Sequence, residues 1–398
     1  MNILANIELA PRDPILGLTE AFVADTRPAK VNLGVGVYLG EDGRVPLLEC
    51  VRTAEARLTE RPSPRGYLPI DGLPAYTSAV RELVLGAGSE PVASGRVVTV
   101  QGLGGTGALK IGAEFLKRTD ARPAVLISDP SWENHQALFG RAGFEVRTYR
   151  YYAAALGGID LAGMLADLNA AEPGTVVVLH ACCHNPTGYD LGEADWEKVA
   201  EVVVARGLVP FLDLAYQGFS AGIEADAAVV RRFAALGVPM LVASSFSKSF
   251  SLYGERVGGL SVVAADADEA ARVLSQLKVT IRTTYSNPPT HGAAVVSAVL
   301  ADPVLRAGWE GELEGMRLRI RAMRSALVDA LAAAGARRDF GFIADQVGMF
   351  SYCGLSAAQM QRLRAEYAVY GTDAGRICVA ALNPGNVERV AHAIAAVE

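Results

Sequence analysis

The sequence is short of the features that would place it in several large classes of protein. Its 398 residues hold five cysteines, Cys50, Cys182, Cys183, Cys353 and Cys378. That odd number, in a chain too long to need stapling, argues against a disulfide framework and for reduced thiols in a reducing compartment. Basic residues are outnumbered, 37 Lys+Arg against 43 Asp+Glu, for a net charge of −6. A mildly acidic chain lacks the basic face that phosphate neutralisation demands, so nucleic acid is not an expected partner. No apolar run approaches the 18 or so residues that span a bilayer; the nearest, 293–301, is far too short. The N-terminal MNILANIELAPRDP has no positive region followed by an apolar stretch, so no signal peptide is expected. Together these point to a cytoplasmic protein with no membrane partner.

What is abundant points to a globular enzyme-like chain. Hydrophobic residues make up 51% and charged residues 20%, which excludes a disordered chain. The length corresponds to roughly two to three domains' worth of residues. Glycine, 41 of 398, exceeds its usual share without any period, which suggests tight turns and close backbone approach to a ligand.

Asp13-Pro14 reads as a helix N-cap and first position, opening a helix to about Ala24. Residues 31–38 read as an extended, glycine-spaced segment, and helices are predicted at about 46–60 and 73–85. Short β-branched runs then recur at 96–100, 124–128, 145–149, 175–180, 208–213, 240–244 and 257–263. Most are separated by helical patterns such as 107–118, 159–169 and 193–206. Continuous apolar strands alternating with helices predict an α/β fold with a mostly parallel sheet covered on both faces. After residue 264 helices dominate, at 267–281, 289–300, about 302–334, 356–366 and from about 386, with strand-like pieces at 348–352 and 376–379. The expected partition is a large domain of residues 46–310 and a smaller α+β domain made of 1–45 together with 311–398.

Four segments carry chemistry. Gln101-Gly102-Leu103-Gly104-Gly105-Thr106-Gly107 follows a strand and opens a helix, where free backbone N–H groups bind anions. It also spells G-x-G-x-x-G, with Asp129 at 22 residues beyond Gly107. That spacing keeps a dinucleotide site, and with it an NAD-dependent oxidoreductase, among the readings. His180-Ala-Cys182-Cys183-His184-Asn185-Pro186-Thr187-Gly188 invites a zinc site. Adjacent cysteines on an extended chain point to opposite sides, however, so no metal is expected. Asn185 falls at the carboxyl edge of a parallel strand, where open sheets bind ligands. Asp213 ends an apolar strand, a costly place for a carboxylate without a partner. Finally, Ser245-Phe246-Ser247-Lys248 and Arg256 set an amine among hydroxyls, with a guanidinium eight residues on. Serines and arginine resemble phosphate ligands, and the lysine could be a nucleophile. One lysine, one carboxylate and two phosphate-like signals suit pyridoxal phosphate. The dinucleotide reading leaves Asp213, Lys248 and Arg256 without roles.

The strings VNLGVGVY, GYLPIDGLPAY, GGTGAL, SDPSWENH, HACCHNPTG, LDLAYQGF, SFSKSFSLYGERVGGL, YSNPP and GMFSYCGL resemble, in order and over nearly the whole chain, class I aminotransferases of the aspartate and aromatic amino acid group. The resemblance implies the type I pyridoxal-phosphate transferase fold, with a seven-stranded sheet, as a homodimer with shared active sites. It implies amino-group transfer between an L-amino acid and a 2-oxo acid such as 2-oxoglutarate, through a Schiff base and ping-pong kinetics. By motif, Lys248 would hold the cofactor and shuttle the proton, and Asp213 would pair with the ring nitrogen. Tyr216 and Asn185 would hold the phenolic oxygen, Trp132 would stack on the ring, and His135 would stand behind Asp213. Gly104, Gly105, Thr106, Ser245, Ser247 and Arg256 would cradle the phosphate, with Tyr67 reaching it from the neighbouring subunit. Arg376, helped by Asn185 and the backbone of Gly36, would clamp the substrate α-carboxylate. Arg282 would reach across the dimer to a distal carboxylate.

Specificity is read from fewer residues. SDPSWENH and SFSLYGERVGGLSVV resemble the aromatic (tyrosine) members more than the aspartate-selective ones. Leu39 and Val45 are apolar near GVGVY, where aspartate-selective members carry polar residues; Gly66 and Asn287 do not lean that way. The expectation is an aromatic aminotransferase that also takes dicarboxylic substrates. The alternative is an aspartate aminotransferase with little aromatic activity.

Overall fold

A computed structural model describes the chain apart from residues 1, 11, 12, 14, 65, 120–123 and 156. It divides into two compact units. One comprises residues 45–321 and 345–348; the other comprises 1–44, 322–344 and 349–398. The division falls within the long helix Pro303–Ala333.

The larger unit is built on seven strands: β1 (Val97–Leu103), β2 (Ala124–Asp129), β3 (Glu145–Arg150), β4 (Val176–His180), β5 (Val209–Leu214), β6 (Met240–Ser245) and β7 (Val257–Val263). Their order across the sheet is β1-β7-β6-β5-β4-β2-β3. Only β7 runs antiparallel to its neighbours; the other pairings are parallel. Strands β4 and β5 are buried almost throughout, which is why their sequences are apolar runs rather than alternations. The helix Gly104–Thr119 packs its apolar stripe, Ala108, Leu109, Ile111 and Phe115, into a core with Val98, Phe211, Leu241 and Leu260. Gly112 allows that approach, because a Cβ there would lie 2.5 Å from the ring of Phe211.

The parallel strands put Gly104, Asp129, His180, Asp213 and Ser245 at one carboxyl edge of the sheet. β7 starts at that same edge, immediately after Arg256. Ligands bind at this edge of open α/β sheets.

The smaller unit pairs Val31–Asn32 with Val369–Tyr370 and Phe350–Tyr352 with Arg376–Cys378. Helices Ala357–Tyr367 and Val387–Val397 belong to it, the first opened by a Ser356–Gln359 capping box. The helix Leu16–Ala24 begins beyond Asp13, whose carboxylate accepts from the backbone N–H groups of Ile15 and Leu16 at 2.9 and 2.8 Å. Pro14, read as the first helical position, lies outside the described residues.

Two local expectations differ from what is found. The extended segment 31–38 is a strand for only two residues. Its later amides turn to other partners: Gly34 donates to the Asn32 side chain, Val37 to Val35, and Leu39 to the Ala380 carbonyl. The helix expected from 107 begins at Gly104, since the first N–H groups of a helix need no intrahelical partner. Among the described residues no helix is long and apolar enough to cross a membrane.

Candidate active site

At the carboxyl edge a buried carboxylate faces an amine. Asp213 is 4% exposed, and its Oδ2 lies 3.0 Å from Nε2 of His135. Burial alone would raise the pKa of this carboxyl. The hydrogen bond with His135, helped by the nearby Lys248 amine, outweighs it, so the group is held below its usual range and stays ionised. His135 is fixed from its other side by Ser131, whose Oγ is 3.0 Å from Nδ1. Trp132 caps the helix Glu133–Arg141 that carries His135, and the two rings meet edge-on at 5.3 Å. Lys248 lies in the turn after β6, its Nζ 4.6 Å from the centre of the Tyr216 ring. Asn185 is buried just beyond β4.

A second histidine layer backs this cluster. The rings of His135 and His180 lie 5.1 Å apart, and those of His180 and His184 lie 4.4 Å apart. His184 bonds to Thr187 Oγ1 at 2.8 Å and Ser128 Oγ at 2.9 Å, and stacks on Tyr151 at 3.9 Å. Burial pushes His180 down to about 3, with His135 adding to the effect, so its ring is neutral.

Beside the amine is an anion cradle. Gly104 opens the helix Gly104–Thr119 with φ +68°, and its N–H donates to the Arg256 carbonyl at 2.9 Å. A Cβ on Gly104 would lie 2.5 Å from Nη2 of Arg256, and one on Gly105 would lie 3.1 Å from Cβ of Ser245. Arg256 donates to Ser247 Oγ at 3.2 Å and to the Tyr253 carbonyl at 3.1 Å. A helix N-terminus, a guanidinium and hydroxyls thus converge, an arrangement that suits a phosphate.

The glycine pattern read as a dinucleotide signature has another explanation here. A Cβ on Gly102 would lie 2.9 Å from the Ala108 backbone nitrogen, and one on Gly107 would lie 2.9 Å from Cβ of Leu103. Both serve close strand-to-helix packing, and only Gly104 and Gly105 face the cradle residues.

Of the remaining sequence candidates, two are exposed on this unit and two belong to the other unit. Tyr67 is 95% exposed on the single chain. Arg282 is exposed near the end of the helix Ala267–Thr284 and donates to the Ser286 hydroxyl. Gly36 and Arg376 belong to the other unit. There Arg376 is 1% exposed, donates through Nη2 to the Gly34 carbonyl at 2.7 Å, and lies 4.4 Å over the Phe350 ring. A Cβ on Gly36 would lie 2.6 Å from that same ring. A lone arginine in a strand pattern is normally a surface charge; a buried one is an asset held for a ligand or a fold contact.

The sequence reading does not single out Ser131, whose only signal is its place in SDPSWENH. Nor does it single out Asp226, whose carboxylate accepts from the N–H groups of Gly218, Ser220 and Ala221 at 2.7, 3.0 and 2.8 Å and so shapes the loop after Tyr216.

The family described as aminotransferase class I and II matches residues 28–394. The chain belongs to this family. It is 61% identical to the aspartate aminotransferase of Pseudomonas aeruginosa over 99% of each chain. To the aromatic-amino-acid aminotransferase of Escherichia coli it is 53% identical over 97% of each. Among solved structures it resembles the aromatic-amino-acid aminotransferase from Burkholderia pseudomallei covalently bound to pyridoxal phosphate, with a TM-score of 0.97 and 65% identity over 100% of both chains. The α/β fold and mostly parallel sheet are those of aminotransferases.

Proposed function

We propose that this chain is a pyridoxal-phosphate-dependent aminotransferase. It moves an amino group between an L-amino acid, aromatic as well as aspartate or glutamate, and a 2-oxo acid such as 2-oxoglutarate, in ping-pong fashion. The observation that carries the reading is the juxtaposition, at one sheet edge, of the ionised Asp213 hydrogen-bonded to His135, the Lys248 amine and the Gly104–Arg256 cradle. The residues fit the cofactor: a Cβ would fill the cradle, and Asp213 is kept negative where a protonated ring nitrogen needs a counter-charge.

Bound pyridoxal phosphate supplies an electron sink for the electron pair left when the α-proton departs. Lys248 would anchor it covalently and, once the incoming substrate amine had taken its place on the cofactor, its freed Nζ would take and return the α-proton. Asp213, oriented by His135, keeps the ring nitrogen protonated. Tyr216 and Asn185 hold the phenolic oxygen, and Trp132 covers a ring face. Gly104, Gly105, Thr106, Ser245, Ser247 and Arg256 hold the phosphate. Arg376 binds the substrate α-carboxylate with Asn185 and the backbone of Gly36. In a cytoplasmic homodimer Tyr67 and Arg282 serve the partner's site, which accounts for their exposure on one chain. The two compact units are the cofactor-binding and smaller domains.

Aspartate aminotransfer with little aromatic activity is the second reading, favoured by the name of the Pseudomonas aeruginosa relative. Stopped-flow half-reactions with glutamate and with phenylalanine separate the two. For the cofactor itself, borohydride reduction and then peptide mapping is the test. The reading expects the label on Lys248 and its loss, with transamination, in Lys248→Ala; a label on any other lysine overturns it.

A further inference from the structure

The pair Cys182 and Cys183 has no part in the site above. On an extended strand adjacent thiols point to opposite faces. Beyond the end of β4 the chain is not extended: Cys183 has φ +52°. That left-handed turn brings both thiols to one side. The Sγ atoms of Cys182 and Cys183 and a carboxylate oxygen of Asp226 all lie within 4.8 Å of one another, and all three residues are buried. Both cysteines are free of disulfides. A cleft of about 690 Å³ reaches Cys182 and Asp226 from outside, and Asp190, Trp196 and Arg232 also line it.

We propose that Cys182, Cys183 and Asp226 form a binding site for a thiophilic divalent cation, zinc or cadmium, entered through this cleft. Two thiolates and a carboxylate are a donor set these ions favour, and three protein ligands leave a position for water from the cleft. With metal–sulfur bonds of about 2.3 Å and metal–oxygen bonds of about 2.0 Å, ligand atoms in a tetrahedral site stand roughly 3.5–4 Å apart. The observed spacing, within 4.8 Å, is about 1 Å from that. The outer shell is already in place. Three backbone N–H groups fix the Asp226 carboxylate. The Asp190 carboxylate accepts from the N–H groups of Cys183 and His184 at 2.7 and 2.8 Å, holding the thiol-bearing turn and adding negative charge nearby. Cation binding releases the two thiol protons to solvent. The Cys183 thiol also lies 3.9 Å from the Tyr216 carbonyl, so the bound ion would stand behind the residue assigned to the cofactor's phenolic oxygen. The site itself does not depend on that assignment.

The test is a titration of metal-stripped holoenzyme with cadmium, read by equilibrium dialysis and by sulfur-to-cadmium charge-transfer absorption. One equivalent per chain is expected, with two sulfur neighbours by X-ray absorption. Cys182→Ser and Cys183→Ser should each weaken binding by at least about tenfold, the loss that even an outer-shell substitution causes. Cys353→Ser should change nothing. Should a serine variant fail to fold, the wild-type protein still decides. Bound cadmium must then protect Cys182 and Cys183 from alkylation, as mapped by mass spectrometry. Absence of binding, binding without the sulfur absorption, binding undiminished in the serine variants, or cadmium that leaves both thiols open to alkylation overturns the proposal.

Discussion

Gly258 on β7 faces Gly104 with room for a hydrogen and nothing larger: a Cβ on Gly258 would lie 2.3 Å from the Gly104 carbonyl carbon and 2.5 Å from its oxygen. Both neighbours are backbone, so no side chain can yield. Gly258→Ala is expected to cost about 1–3 kcal/mol of stability by overpacking and to distort the cradle. Cofactor affinity by equilibrium dialysis and a urea unfolding midpoint would measure the two effects. Gly254→Ala, where a Cβ meets nothing within 4 Å, is the control. Equal behaviour of the two variants would mean the close approach carries no constraint.

Asp213→Asn keeps the shape of the buried carboxylate and removes its charge. Breaking a buried pair from one side costs about 3 kcal/mol or more, so cofactor affinity should fall by at least about a hundredfold. Exchange of the substrate α-hydrogen with solvent should slow as well. Near-normal affinity and exchange in the variant would remove Asp213 from the role of counter-charge.

His180 gives the stability of the fold a defined pH dependence. Both its ring nitrogens are buried and without a hydrogen-bond partner among the described residues. Burial, and then His135, push it down to about 3, while the unfolded side chain titrates near about 6.5. The unfolded chain therefore takes up a proton that the folded chain refuses. Stability is full above about pH 6.5 and declines as the pH falls toward about 3, on the order of 4 kcal/mol from this residue. His180→Phe should flatten the decline between about pH 8 and about pH 5 in urea titrations, since an apolar ring leaves no polar atom unsatisfied. An unchanged slope would assign the acid sensitivity to other groups.

On the proposed reading, Arg282 is the residue that decides substrate choice. A planar guanidinium holds a distal carboxylate through two parallel hydrogen bonds, whereas an aromatic side chain needs apolar walls and no unpaired buried charge. Arg282→Leu should damage the glutamate half-reaction at least roughly tenfold more than the phenylalanine half-reaction, since a charge-assisted bond contributes about 1.5–3 kcal/mol. Leu39 and Val45 would then line the ring. Equal losses with both amino acids would make Arg282 structural and would end the dual-specificity reading.

The central strands of the large sheet, Val176–His180 and Val209–Leu214 above all, are legible in the sequence because each is a nearly continuous apolar run, a pattern that burial on both faces imposes on a parallel strand. The edge strand Glu145–Arg150 is mostly polar and exposed, and only its β-branched residues and its place between helical patterns mark it. Asp213, Lys248, Asn185 and Arg256 are legible because each lies at or near the end of such a run or beside the next one, and a parallel sheet gathers its loops at the carboxyl edge. The helix bearing His135 is less visible. It is nine residues long, and only His135, Leu138 and Phe139 are buried in it, too few to make a clear period. Residues 31–38 pair less than their spacing suggests, since an extended pattern says nothing about whether a neighbouring strand is present.

By itself, then, the sequence determined the alternation of strand and helix, the order of the chemical residues along the chain and, through its motifs, the family. These depend on local pattern, which a linear string holds in full. Tertiary structure decided what needs distances between remote segments. Among these are the 3.0 Å contact of His135 with Asp213, separated by 78 residues, and the burial of Arg376 over Phe350. The left-handed turn at Cys183 is a further case, because it puts two adjacent thiols on the same side. An extended chain would have separated them. Only the backbone conformation, fixed by amides that donate to Asp190 from outside the strand, brings them together.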